Sequence, residues 1–159
     1  MKQFTDANGK KWSLAINIGT VKLCRDLLGV NLLEPEAGNP PLVTSLGTDD
    51  IFLVDLIYCL CKEEADKAGI TDIAFGQSFN GKVLHEAANA FFSEYMDFFR
   101  DRGRTDRLEA ISREKQIIDK ATQRAKEEIE KLDLDDAVEQ VFGNGSIGLP
   151  ESPESTPTP

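Results

Sequence analysis

The chain has 159 residues, 40% of them hydrophobic, and carries a formal net charge of −10, which suits one core of ordinary size with an appendage and requires no second core. That acidity repels nucleic-acid phosphates, and without a concentrated basic patch it excludes a duplex-binding role and favours protein partners. The longest apolar run, residues 51–61, is interrupted by Asp55 and too short to cross a bilayer, and the opening MKQFTDANGKKW lacks a signal peptide's apolar stretch, so a soluble, cytoplasmic protein without membrane contact is expected.

In the opening stretch, Asn8-Gly9 lies between Phe4 and the alternating Trp12, Leu14 and Ile16, a β-hairpin signal. Alternation puts the last three on one face, which a lone hairpin cannot keep dry, so helices must cover it. Asn17 or Thr20 then caps a short helix with Val21, Cys24, Leu27 and Leu28 at helical spacing, ended by Gly29. Residues 30–46, with Glu34-Pro35, Gly38 and Pro40-Pro41, read as an extended connection.

Thr48, Asp49 and Asp50 supply the cap and first-turn acids of a helix that starts IFLVDLIYCLC and continues through KEEADKA to Gly69. Its apolar residues run almost all round, as in the most buried helix of a fold. Thr71 starts a short turn through Phe75. From Lys82 to Arg102 the chain holds no Gly or Pro, and Leu84, Ala87, Ala88, Phe91, Phe92, Tyr95, Met96, Phe98 and Phe99 share one half of a helical cylinder. A stripe that wide either sits deep in the fold or touches a partner as well as its own core.

After Gly103 charge dominates, and Ile111, Ile118, Ala125 and Leu132 recur every seventh residue on an amphipathic arm. Phe91, Phe92, Tyr95, Phe98 and Phe99 of the stripe, with Ile111 and Ile118 of the arm, are therefore the candidate partner-binding residues. The expected organisation is a helical domain over residues 1–102, the arm over 103–142 and a Pro/Ser-rich disordered tail over 143–159. The fold class is mainly α: a small N-terminal β-hairpin, a compact helical domain and an extended amphipathic C-terminal helical arm.

No residue pattern assembles an active site. GNGSIG, residues 143–148, fits G-x-G-x-x-G, but no helix-forming run follows it, so it reads as a helix stop before the tail. His85 has no second ligand at metal spacing. Cys59 and Cys61 stand on opposite sides of a helix, wrong for joint zinc ligation or a disulfide, and with Cys24 they read as reduced core residues. Asp49-Asp50 and Asp135-Asp136 fit helix-start preference and lack a nucleophile. Arg100, Arg102, Arg104 and Arg107 interleave with Asp97, Asp101 and Asp106, which describes an ion-paired hinge. No catalytic residue, cofactor or metal is expected.

FTDANGKKWSLAINIGTVKLCRDLLGVNLLE, DDIFLVDLIYCLC and FGQSFNGKVLHEAANAFFSEYMDFF, spread over roughly residues 4–99, resemble in order and character the tail assembly chaperones of long-tailed (siphovirus-type) bacteriophages. The resemblance implies a largely helical, non-enzymatic protein in the host cell cytoplasm. It would coat the tape measure protein, recruit tail tube protein and leave before the virion matures, with self-association around its client. In that family a frameshift near the end of the reading frame often yields a longer form, for which the tail would be a linker. Two other classes fit the composition: a structural minor tail or head-completion protein of the virion, and an acidic DNA-mimic inhibitor. Eighteen Lys and Arg mixed among the acids count against the mimic.

Overall fold

The computed structural model describes residues 1–132 and 134–143; the sequence-predicted tail, from 144 onward, lies outside the described residues. The fold is mainly α with a two-stranded antiparallel hairpin at its N-terminus, as the sequence pattern requires. Two compact units divide the chain, Met1–Asp119 and the part from Lys120 onward.

Strands β1 (Lys2–Thr5) and β2 (Lys11–Leu14) pair in the register Phe4 opposite Trp12. Their connection is not the two-residue turn that Asn-Gly most often makes. Gly9 alone has positive φ, +84°, and Asn8 does not, so a type I′ turn is ruled out. Asp6 holds the loop instead, its Oδ1 accepting from the Asn8 and Lys10 amides at 2.9 Å and its Oδ2 from Trp12 Nε1 at 2.8 Å. The turn and the largest core side chain thus share one carboxylate. Phe4, Trp12, Leu14 and Ile16 are all buried, and the hairpin lies on α6 (Gly81–Asp101).

Helix α1 (Ile18–Leu28) starts with a reciprocal box: Asn17 Oδ1 accepts from the Thr20 amide while Thr20 Oγ1 accepts from the Asn17 amide. Gly29 ends it with φ +68°. Val21 and Cys24 face the core, whereas Leu27, expected on the same face, is 52% exposed. Leu27 lies at the edge of an arc whose centre already meets α3 (Asp50–Leu60).

The connection after α1 departs from expectation at its end. Residues 30–41 are irregular, with Val30, Leu32 and Pro35 buried, but Leu42–Thr48 forms helix α2. Pro41 immediately precedes its first turn, where a missing amide costs nothing. The long helix expected through KEEADKA is two helices, α3 and α4 (Lys62–Ala68), separated by a turn at Cys61. Nor is α3 apolar-buried all round: Leu53, Leu56, Ile57, Cys59 and Leu60 are inside, and Ile51 is 77% exposed. Asp49 caps α3 by accepting from the Phe52 amide. Thr71 does the same for α5 (Asp72–Gln77) through Ala74, and Asn80 for α6 through Val83.

Aromatic side chains fill the centre. Phe75 packs edge-on against Trp12 with centroids 4.8 Å apart and continues to Phe79 at 5.0 Å. Along α6 the rings of Phe91, Tyr95 and Phe99 succeed one another at 5.4 Å. Each fully buried ring contributes roughly 1.5–3 kcal/mol by leaving water. Tyr95 places its hydroxyl on the Leu32 carbonyl at 2.7 Å, which ties the irregular connection to α6.

Candidate interaction surface

Helix α6 buries Phe91, Phe92, Tyr95 and Phe99 in the protein's own core, each at most 5% exposed. That corrects the expectation of a partner-binding stripe at these four positions: the hairpin and α3 pack against α6 and leave a partner no access. Phe98 is half-buried and lines an open cleft with Ile16, Ile18 and Glu94. Glu94 is itself buried, its Oε1 accepting from the Ile16 amide at 3.4 Å and its Oε2 lying 3.1 Å from the Met1 ammonium.

The first half of α7 (Thr105–Lys131) also belongs to the compact unit. Ile111, a candidate partner-binding residue of the arm, is fully buried in the protein's own core, and Ile118 is half-buried. Ile118 occupies the space that Gly47 of α2 leaves by having no side chain: a Cβ there would lie 2.1 Å from Ile118 Cδ1. Thr44, one turn earlier on α2, donates to Glu114 at 2.8 Å. Arg107 donates to the Leu33 carbonyl and, at 3.1 Å, to Glu36. The compact unit therefore continues past the boundary expected at residue 102, through about half of α7.

The turn between α6 and α7 forms part of the ion pairing expected there, while Arg107 turns to Glu36 instead. Arg100 pairs with Asp97 and Arg104 with Asp106 at 2.6 Å, and Gly103 turns the chain at φ +74°. Arg104 holds the exposed Asp106 carboxyl down to about 2.

From Lys120 onward the pattern reverses. Every residue of α7 from 120 to 131 is exposed, Ile129 by 67%, and Leu132 follows at 64%. Helix α8 (Leu134–Phe142) exposes Leu134 by 79%, Val138 by 49%, Val141 by 70% and Phe142 by 61%. These four recur at i, i+4, i+7 and i+8 and fall within roughly 100° of arc. Asp136, Glu139 and Gln140 complete the opposite side. This apolar face is not among the candidates drawn from the sequence, although its helical periodicity is readable there. Its nine residues are overshadowed by the wider aromatic stripe of α6.

Chemically reactive groups are few and enclosed. Cys24, Cys59 and Cys61 are free thiols, all buried. Burial, with Glu64 nearby, pushes the Cys61 thiol up to about 12. Cys24, donating to Cys59 and shut away from water, is raised further. His85 is exposed on α6, with Asn89 Nδ2 3.1 Å from its Nε2. Among the described residues no group of three or more His, Cys, Asp or Glu side chains is placed to hold a metal ion. No helix among them is long and apolar enough to cross a membrane.

The chain matches no protein-family model, no curated protein and no solved structure with which it was compared.

Proposed function

We propose that the protein is a non-enzymatic tail assembly chaperone of a long-tailed bacteriophage, which holds the tape measure protein soluble in the host cytoplasm and assists addition of tail tube protein. The observation that carries this reading is the exposed apolar face of α8, Leu134, Val138, Val141 and Phe142, in a chain whose aromatic residues are otherwise well buried. A tape measure client would be a long helix with apolar stripes that aggregates when unpaired. A short amphipathic helix with an acidic reverse side suits such a client, covering one patch at a time while keeping the complex soluble. The resemblance of residues 4–99 to the family supplies the identity of the client.

Co-expression with the tape measure protein of the same genome is expected to move that protein into the soluble fraction and to yield a complex that co-purifies at moderate salt. Val141→Asp together with Phe142→Asp is expected to abolish co-purification while leaving the thermal transition of the compact unit unchanged. A tape measure protein that stays insoluble with the wild-type chain rules the function out. Retention of binding by the double variant moves the client site away from α8.

A further inference from the structure

We infer that the partner segment held by α8 is an amphipathic helix with Lys or Arg along one border of its apolar stripe, one of those cations seated beside Phe142. The inference rests on the reading of α8 as the client site and adds the chemistry of what that site accepts.

The two borders of the exposed face differ. On the helical projection Leu134, Val138, Val141 and Phe142 are bounded next to Phe142 by Glu139, and on the other side, next to Val141, by Ala137 and then Gln140. Glu139 and Phe142 are both exposed. They stand at i and i+3, which puts a carboxylate and an aromatic ring on adjoining surface. A Lys or Arg side chain suits both, its alkyl stem covering the ring while its charged end reaches the carboxylate.

The end of α8 lacks a cation of its own. A helix C-terminus carries partial negative charge and is stabilised by Lys, Arg or His in its last turn. The last turn of α8 holds no base, and Glu139 stands within it. In the sequence, residues 127–142 hold seven Asp and Glu against one base, Lys131, whereas residues 104–126 hold seven Lys and Arg against four acids. Negative charge is therefore gathered on the stretch that exposes the apolar face. That pattern selects among occupants. A second copy of α8 would bring like charges together, and an anionic lipid surface or a nucleic acid meets the same repulsion. A helix whose apolar stripe has a cationic border is attracted, and its charge completes the C-terminal turn.

Two labelled helical peptides with the same leucine stripe, one bordered by Lys and the other by Glu, are the probes, and their binding to the full chain is followed by fluorescence anisotropy. The Lys peptide is expected to bind about tenfold more tightly than the Glu peptide at low ionic strength, with the gap closing in high salt. Glu139→Lys should remove most of that preference, although it strengthens the C-terminal turn of α8, so loss of the helix cannot explain the change. Val141→Asp with Phe142→Asp makes the chain more acidic, yet it should abolish binding of the Lys peptide; that outcome separates docking on the face from general attraction to an acidic protein. Equal binding of both peptides by the wild type, lost in the double variant, overturns the inference and leaves α8 as the client site. Undiminished binding of the Lys peptide by the double variant removes the client site from α8 and the inference with it. Binding of neither peptide overturns the inference as well, as does a wild-type chain that sediments as a dimer which the double variant abolishes, since a second copy then occupies the face.

Discussion

Helices α6 and α8 are both amphipathic, yet their apolar faces have opposite fates. Phe91, Tyr95 and Phe99 of α6 are fully buried, while Leu134, Val141 and Phe142 of α8 are each more than 60% exposed. Periodicity alone does not distinguish them. What separates them is the number of other elements with an unsatisfied apolar face within reach: α6 has the hairpin and α3, and those elements need α6 as much as it needs them. Each helix of the compact unit completes its neighbour, whereas the apolar face of α8 is exposed.

The largest effect that would break this contrast lies in α6. Phe91→Ala or Phe99→Ala is expected to cost about 3–5 kcal/mol, seen as a large drop in the urea midpoint of the compact unit. A loss below about 1 kcal/mol would mean that the ring is not enclosed and that the stripe is a surface after all. Next comes Arg107, which fastens the start of α7 to the irregular connection through the Leu33 carbonyl and Glu36. Arg107→Met removes charge-assisted bonds from a side chain only 17% exposed, for an expected loss of about 1.5–3 kcal/mol. Amide exchange in residues 105–118 should accelerate together with that in residues 31–36; faster exchange in only one of the two segments would uncouple them.

A smaller effect comes from the thiols. Cys61 is neutral in the native state up to about 12, against an ordinary value of 9.0, so the unfolded chain releases its proton first as the pH climbs. The native state then binds more protons than the unfolded one, and stability falls with pH from near 9 upward. At pH 10 the loss from Cys61 is on the order of 1 kcal/mol relative to pH 8, measurable as a lower urea midpoint. Cys61→Ala should flatten that slope; an unchanged slope would assign it to other groups. Smallest of all is the effect on folding of the apolar face of α8. Val141→Asp with Phe142→Asp should alter the compact unit's stability by no more than about 0.5 kcal/mol, and a larger loss would show the face to be part of a core.

Much of the compact unit was legible locally. Asn17 with Thr20, Asp49 and Thr71 announce helix starts, and Gly29 and Gly69 announce stops, because each acts on backbone groups only a few residues away. Helix α2 was less legible, since Pro40-Pro41 reads as a breaker until Pro41 is seen to precede the first turn. The division between α3 and α4 at Cys61 was hidden within an unbroken apolar and charged pattern. Of the seven candidate partner-binding residues, Phe91, Phe92, Tyr95, Phe99 and Ile111 are core, while Phe98 and Ile118 are half-buried. The better-exposed face, on α8, carried the same kind of signal with fewer and smaller residues.

Hydrophobic period, caps and turns reach only a few residues along the chain, and by themselves they determined most of the helical segments, α2 excepted, that the chain opens with a hairpin, and which side of most elements is apolar. Which apolar side meets another is a matter of distance in space, and only the tertiary structure decided it. Gly47 makes room for Ile118 across 71 residues of sequence, and Tyr95 holds Leu32 across 63. Nothing in the local pattern of either partner specifies the other, because such contacts exist only after the intervening elements have packed.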